Sequence, residues 1–138
     1  VGLYATALDE RIAGLVSGSG FTPMHTHLKD NGREGIKAFS HLHGLIPRLG
    51  FFVGNEDRIP YDYQEIIGSI APRPVLLITP QLDQTAHVEE VNTTVAEARK
   101  IYQLLGVPDQ ITLNTPDDFN RFSEEMKKTI YDWAGKLK

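Results

Sequence analysis

The chain has 138 residues, of which 41% are hydrophobic and 23% charged, and its formal net charge is −4. This is the composition of one ordinary folded domain rather than of a disordered or fibrous chain. Because the chain is mildly acidic, lacks cysteine and has no uninterrupted apolar run longer than 75–78, we expect no nucleic-acid partner, no thiolate site and no membrane span.

The first part of the chain predicts a helix, a strand and then an irregular segment. Residues 1–8 have the pattern of the end of a helix that starts before residue 1, so we expect a fragment of a larger domain. The apolar run from Ile12 to Ser17 is closed by glycines, which favours a strand buried on both faces. Residues 21–60 are interrupted by glycine and proline, and only short helices such as 35–43 fit there.

The second part alternates between helical and strand patterns. Asp62 is a good N-cap residue, and Gly106 is the expected left-handed residue after a long helix. The predicted elements are, in order, a helix over 63–70, a strand over 75–79, a helix over 85–105, a strand over 110–114 and a helix over 123–136 that buries Met126, Ile130, Trp133 and Leu137.

This order of elements predicts a parallel sheet with right-handed crossovers, because strands alternate with amphipathic helices. Three strands are few for this architecture, and the first strand leaves an apolar edge without a neighbour. Such edges are normally covered. We therefore expect that a missing N-terminal half covers this edge, and that the isolated chain self-associates through it as a homo-oligomer.

Three stretches carry a resemblance to a known family. They are VGLYATALDERIAG at 1–14, IAPRPVLLITPQLD at 70–83 and the segment 114–122. In their order and spacing, the chain resembles the C-terminal half of an α/β-hydrolase of the dienelactone hydrolase and acetyl xylan esterase-like branch. The resemblance implies part of a three-layer α/β/α sheet, with residues 1–138 as a single partial domain and 21–63 as a cap-like excursion.

The resemblance also implies a serine-hydrolase site that is incomplete in this chain. The nucleophile elbow, Gly-x-Ser-x-Gly, would lie upstream of Val1, and Asp83 matches the position of the triad acid. The triad histidine is expected after the third strand, but no histidine follows His87, and Asp118 or Asn120 occupies that place. A displaced base from the excursion, His43 or His41, is one hypothesis.

Simpler interpretations of the same residues remain open. Asp83 could simply be the cap of the helix predicted from about residue 85, with no catalytic role. His87 could simply form an ion pair with a surface carboxylate. Ser19 follows a strand but lacks the elbow spacing. The pairs 25–27 and 41–43 are His-x-His motifs, which could chelate zinc only if extended. The aromatic residues Phe51, Phe52, Tyr61 and Tyr63 could form a cap over a substrate or simply fill the core.

The sequence therefore gives two functional hypotheses. In the first, the chain is part of a carboxylic ester hydrolase that acts on a small-molecule ester, such as an acylated carbohydrate, and is inactive without the upstream elbow. In the second, it comes from a hydrolase-fold protein without catalytic activity that serves in binding or assembly. No glycine-rich nucleotide-binding motif occurs, so we expect no cofactor, and we predict no metal.

Overall fold

The computed structural model describes residues 1–25, 36, 40, 44 and 46–137. Its regular elements are α1 (Gly2–Leu8), β1 (Leu15–Gly18), α2 (Tyr63–Gly68), β2 (Val75–Ile78), α3 (Val88–Leu104), β3 (Ile111–Asn114) and α4 (Glu124–Ala134), with short 3-10 helices at Pro47–Phe52, Glu56–Arg58 and Pro108–Gln110. The predicted helix over 35–43 falls largely outside the described residues. Among those described, no helix combines the length and apolar character that a membrane crossing requires.

The three strands form one parallel sheet in the order β1-β2-β3. Leu15 is in register with Val75, and Val75 is in register with Ile111. All four residues of β2 are buried, as the sequence predicts for a central strand between two layers. The parallel sheet with helical crossovers is confirmed.

Helices cover both faces of this sheet, which confirms the three-layer α/β/α prediction. One face carries Leu15, Val75 and Leu77, and it packs in a common core with residues of α1, α2 and α3. The opposite face carries Leu76 and Ile78, which pack against α4 through Met126, Ile130 and Trp133. Leu137 was expected in that stripe, but it lies beyond the end of α4 and is 39% exposed.

Two predicted boundaries are wrong, and each shift has a local cause. β1 begins at Leu15 rather than at residue 12, because the preceding residues turn back towards β2 and bind Arg73. β1 also buries only Leu15 fully, so it is not covered on both faces as predicted. α3 begins at Val88, with His87 as its N-cap residue, rather than near Thr85.

Arg73 holds the turn between α1 and β1 against the residues that precede β2, a role that the sequence did not suggest. Its Nη1 donates to the carbonyl oxygens of Asp9 and Ile12, each at 2.9 Å, and its Nε donates to that of Ile70 at 3.2 Å. The Tyr102 hydroxyl in turn donates to the Arg73 carbonyl at 3.0 Å. The turn after α1 is therefore fixed against the start of β2.

The aromatic residues of the excursion divide between surface and core. Phe51 is 87% exposed, whereas Tyr63 is 3% exposed and its ring stacks on Phe21 with the centroids 4.5 Å apart. Phe52 and Tyr61 are partly buried against the main core. The core-filling interpretation therefore holds for Tyr63, and Phe51 is available to contact solvent or another surface.

Candidate functional site

The three loops that follow the strands meet at the carboxyl edge of the sheet. The Ser19 amide donates to the Ile78 carbonyl at 2.8 Å, and the Thr79 amide donates to the Asn114 carbonyl at 2.9 Å, so the strand pairing continues past the last strand residues. The Leu82 amide then donates to the Asp118 carbonyl at 3.0 Å. These bonds hold the loop that carries Asp83 beside the loop that follows β3.

Asp83 lies in this loop with one carboxylate oxygen bound and the other without a partner. Oδ1 accepts from the Thr85 amide at 2.7 Å, the Thr85 hydroxyl at 2.8 Å and the Ala86 amide at 3.2 Å. Oδ2 is buried and has no hydrogen-bond partner among the described residues, and the residue is only 6% exposed. The simpler interpretation, in which Asp83 caps the long helix, is therefore wrong. Asp83 closes the turn that precedes α3.

The environment of Asp83 favours the ionised form. Burial acts to raise the pKa of the carboxyl, but the hydrogen bonds from Thr85, with contributions from the Ser19 hydroxyl and the Ala86 amide, lower the pKa below its ordinary value. A carboxylate that accepts several hydrogen bonds is stabilised as the anion. Asp83 is thus a fixed negative charge at the carboxyl edge, with one oxygen available to a donor.

Ser19, in the loop that follows β1, lies beside this carboxylate. Its backbone has a φ of 45°, in the left-handed region that is uncommon for a residue with a Cβ. Its Oγ is buried without a partner; the hydroxyl lies near Asp83, but the two side chains are outside hydrogen-bond geometry in this structure. Since the elbow spacing is missing, Ser19 is placed as a neighbour of the acid rather than as a nucleophile.

A groove of about 410 Å³ opens beside Ser19. Asn120, Arg121 and Phe122 line it from the loop after β3, and Met126 and Ile130 of α4 form an apolar floor. Val16 and Gly18 of β1 complete its lining, so the groove runs along the edge of the sheet that has no neighbouring strand among the described residues.

Asp118 and Asn120 occupy the place where the triad histidine is expected, and neither is arranged as a base. Asp118 Oδ1 accepts from the Arg121 Nε at 2.7 Å and from the Phe119 amide at 2.8 Å. The hydrogen bond from Arg121 is the largest of the effects that lower the pKa of Asp118. Asn120 is exposed, and its amide side chain does not titrate near neutral pH.

Among the described residues no carboxylate pairs with His87, so the expected surface ion pair is not found in this part of the chain. The His87 Nε2 is buried and has no hydrogen-bond partner in the described part of the chain. The residue is the N-cap of α3, makes no side-chain cap hydrogen bond and is half-buried. His41 and His43, the candidate displaced bases, lie outside the described residues, and so does His27.

Sequence reasoning missed the partner of the remaining histidine, His25. Its Nδ1 lies 3.0 Å from Asp62 Oδ2, and its Nε2 lies 3.0 Å from the Ile59 carbonyl oxygen. Asp62 was recognised only as a helix cap. The described residues contain no group of three or more histidines and carboxylates that could hold a metal ion, and no step here is assigned to one.

Comparison with known proteins agrees with this architecture. The family model described as "Glucuronyl esterase, fungi" matches residues 1–106. Among solved structures, a carbohydrate esterase family 15 glucuronoyl esterase from Caldicellulosiruptor kristjansonii shares 26% identity with a TM-score of 0.77, over 96% of this chain and 38% of that chain. A comparison with curated proteins finds no match.

Two further structures show the same fold at lower identity. A promiscuous esterase of that carbohydrate esterase family from a marine bacterial metagenome has a TM-score of 0.82 and 19% identity, over 99% of this chain and 39% of that chain. The glucuronoyl esterase catalytic domain from Hypocrea jecorina has a TM-score of 0.73 and 19% identity, over 99% of this chain and 40% of that chain. This chain thus spans about two fifths of the length of the structures that it matches.

The resemblance to the α/β-hydrolases noted from the sequence is therefore confirmed, and the matched structures are esterases. Since the family model covers residues 1–106 of 138, this chain belongs to the glucuronyl esterase family.

Proposed function

We propose that this chain supplies the acid of an esterase that hydrolyses esters of acylated carbohydrate. Glucuronoyl esters, which the names of matched proteins specify, are the first substrates to test. The observation that carries the proposal is the free, buried Oδ2 of Asp83 at the carboxyl edge of a parallel sheet. That edge is where open α/β sheets bind their ligands.

The role of Asp83 follows from its two oxygens. Oδ1 is held by Thr85 and Ala86, so the carboxylate cannot rotate freely, and Oδ2 is left to accept an imidazole N–H. An anion in this position orients the imidazole and stabilises the imidazolium that forms when the imidazole takes the serine proton. The serine must come from chain outside these 138 residues, because no Gly-x-Ser-x-Gly occurs among them.

The test replaces Asp83 in the full-length protein that carries the elbow. We expect Asp83→Asn to lower kcat/KM for a glucuronoyl ester by at least about tenfold, because an amide cannot hold the imidazole in the same tautomer with the same charge. Asp109→Asn is the matched control, since Asp109 is an exposed carboxylate in the 3-10 helix before β3. Ester hydrolysis by Asp83→Asn at the rate of the parent would reject the acid role.

The base is proposed separately, and it is His43 of the excursion. The reason is that no histidine follows His87 and that Asp118 is engaged by Arg121. His43→Gln should abolish turnover, whereas His87→Gln should retain it, because the His87 imidazole has no carboxylate partner among the described residues. Full activity in His43→Gln would remove this assignment without affecting that of Asp83.

The second candidate function is sugar binding without hydrolysis. The same missing histidine favours it, since a site without a base cannot activate a serine. The full-length protein would then bind uronate sugars, form no covalent adduct with a fluorophosphonate probe and hydrolyse no ester. Labelling of its serine by the probe would exclude this alternative.

A further inference from the structure

The loop after β1 places a buried hydroxyl beside the candidate acid. Ser19 Oγ and Asp83 Oδ2 are both buried, and neither has a hydrogen-bond partner among the described residues. The hydroxyl can donate, whereas an oxygen of an ionised carboxylate can only accept. Buried polar atoms without a partner are rare in folded proteins. Here two such atoms, one donor and one acceptor, belong to neighbouring side chains.

Hydrogen bonds on both sides of Asp83 hold the loop after β1 against the turn that carries the acid. Before the turn, the Ser19 amide donates to the Ile78 carbonyl at 2.8 Å. After Asp83, the Thr22 hydroxyl donates to the Thr85 carbonyl at 2.7 Å. The two segments are therefore attached to each other on each side of Asp83, so the backbone keeps Ser19 beside Asp83 whichever rotamers the two side chains adopt.

The backbone conformation of Ser19 is independent evidence for a role of its side chain. Its φ is 45°, in the left-handed region that disfavours any residue with a Cβ. Glycine adopts this conformation at no steric cost, and glycines stand on both sides of Ser19, at positions 18 and 20. A strained conformation held at a serine therefore points to a function of that serine. The functional group of this side chain is the unpartnered hydroxyl that lies beside Asp83.

The two oxygens of Asp83 are held unequally by the residues around them. Oδ1 accepts from the Thr85 amide and hydroxyl and from the Ala86 amide, all within its own turn. We propose that Ser19 is a positioning residue for Asp83, because its hydroxyl donates to Oδ2 and fixes the carboxylate from the neighbouring strand loop. An oxygen of a carboxylate has two lone pairs, so Oδ2 can accept from Ser19 and still accept an imidazole N–H.

A double-mutant cycle in urea unfolding at pH 7 tests the contact in this chain. We expect Ser19→Ala to lower the folding equilibrium constant by about tenfold, the scale of one hydrogen bond to a charged group. In the Asp83→Ala background the same substitution should lower it by less than about twofold, because the hydroxyl has then lost its acceptor. Equal factors in the two backgrounds would overturn the proposal.

Two further variants separate the hydroxyl of Ser19 from other effects of the substitution. Ser17→Ala removes another serine hydroxyl from the end of β1, and it should lower the folding constant by the same factor with or without Asp83. Ser19→Gly removes the hydroxyl but also relieves the left-handed backbone, so its own cost should be smaller than that of Ser19→Ala. The ratio between its effects in the two backgrounds should nevertheless equal that of Ser19→Ala, and it decides the question even if Ser19→Ala fails to fold.

The part of Ser19 in catalysis rests on the proposed function, and the full-length protein with a glucuronoyl ester tests it. Because Ser19 acts through Asp83 and not on the substrate, Ser19→Ala should lower kcat by about tenfold and leave KM within about twofold. It should have no further effect in Asp83→Asn.

The two measurements distinguish failure of this proposal from failure of the proposed function. Coupled unfolding energies together with an unchanged kcat in Asp83→Asn would reject the proposed function and leave the contact standing. Uncoupled unfolding energies together with a large loss of kcat in Asp83→Asn would reject the contact alone. An unchanged kcat in Ser19→Ala, when Asp83→Asn is impaired, would overturn the positioning role.

Discussion

At the scale of single residues, Asp83 combines two features that seldom occur together in a merely structural carboxylate. It is almost fully buried, yet it leaves one oxygen without a partner. Buried polar atoms without a partner are rare in folded proteins and are costly to maintain. Oδ2 is therefore open to a donor: the neighbouring Ser19 hydroxyl, which is itself without a partner, or an imidazole from outside the described residues.

The lowered pKa of Asp83 predicts how the stability of the chain depends on pH. Because the folded state favours the carboxylate, Asp83 contributes stability above the unfolded value of about 3.9, and this contribution is lost as the pH falls through the lower pKa of the folded state. Asp83→Ala should reduce the free energy of unfolding at pH 7 by about 2 kcal/mol, the scale of hydrogen bonds to a charged group. At about pH 2, below the carboxyl's ordinary range, the deficit should be smaller.

Urea unfolding at the two pH values measures this difference. Asp109→Ala serves as the control, because this exposed carboxylate accepts no hydrogen bond in the described structure that its loss would remove. An equal deficit for Asp83→Ala at both pH values would mean that the hydrogen bonds to Asp83 do not depend on its charge.

At the scale of elements, the type and order of the helices and strands could be predicted from the sequence, but their first and last residues could be predicted less accurately. β2 could be recognised because four apolar residues without polar alternation, flanked by Pro74 and Pro80, are typical of a central strand in a layered fold. The start of α3 could not be recognised, because Asp83 and Thr85 form a separate turn whose residues resemble a helix cap in the sequence. The early start assigned to β1 fails for a similar reason: Ile12 is engaged by Arg73, some 60 residues away along the chain.

Only part of the candidate site could be predicted, because some of its contacts join residues that are far apart along the chain. The strand-then-aspartate order identified Asp83, since carboxyl ends of parallel strands meet at one edge. The His25–Asp62 contact joins residues 37 apart along the chain, and no local pattern announces it. Asp62 was found as a cap, but nothing in the sequence indicated which other donors it would receive.

A substitution at the end of α3 would measure the effect of backbone conformation on stability without a change in side-chain contacts. Gly106 has a φ of 74°, and the motif around it is closed by the bonds from the Gly106 amide to the Gln103 carbonyl and from the Val107 amide to the Tyr102 carbonyl. A Cβ added at Gly106 would meet no atom within 4 Å, so the cost of alanine there is conformational alone. Gly106→Ala should lower the free energy of unfolding by about 1 kcal/mol.

Gly135 provides the matched control for this substitution. It ends α4 with a φ of −65° and a ψ of −14°, values that alanine adopts readily, and its added Cβ would make only ordinary contacts. Gly135→Ala should therefore change the stability by no more than about 0.5 kcal/mol. Equal losses for the two variants in thermal or urea unfolding would show that the left-handed conformation does not limit Gly106.

At the scale of the whole molecule, the sheet is open on one side. In the described residues β1 pairs only with β2, and the amides of Leu15 and Ser19 point towards that neighbour. Because backbone groups alternate along a strand, the amides of Val16 and Gly18 point away from the sheet. The matched esterase structures are more than twice as long as this chain, so their sheets have further chain with which to cover such an edge.

An edge with free amides beside an apolar face is a template for pairing with another chain, so we predict that this chain alone self-associates through β1. Sedimentation velocity should show an average mass that rises with protein concentration. Gly18→Pro should suppress the rise, because proline removes one of the outward amides and obstructs pairing at that edge. Gly135→Ala, just after the end of α4, leaves the outward amides of β1 unchanged and should associate as the wild type does. A wild-type chain that stays monomeric at every concentration would mean that the edge is already protected by its own residues.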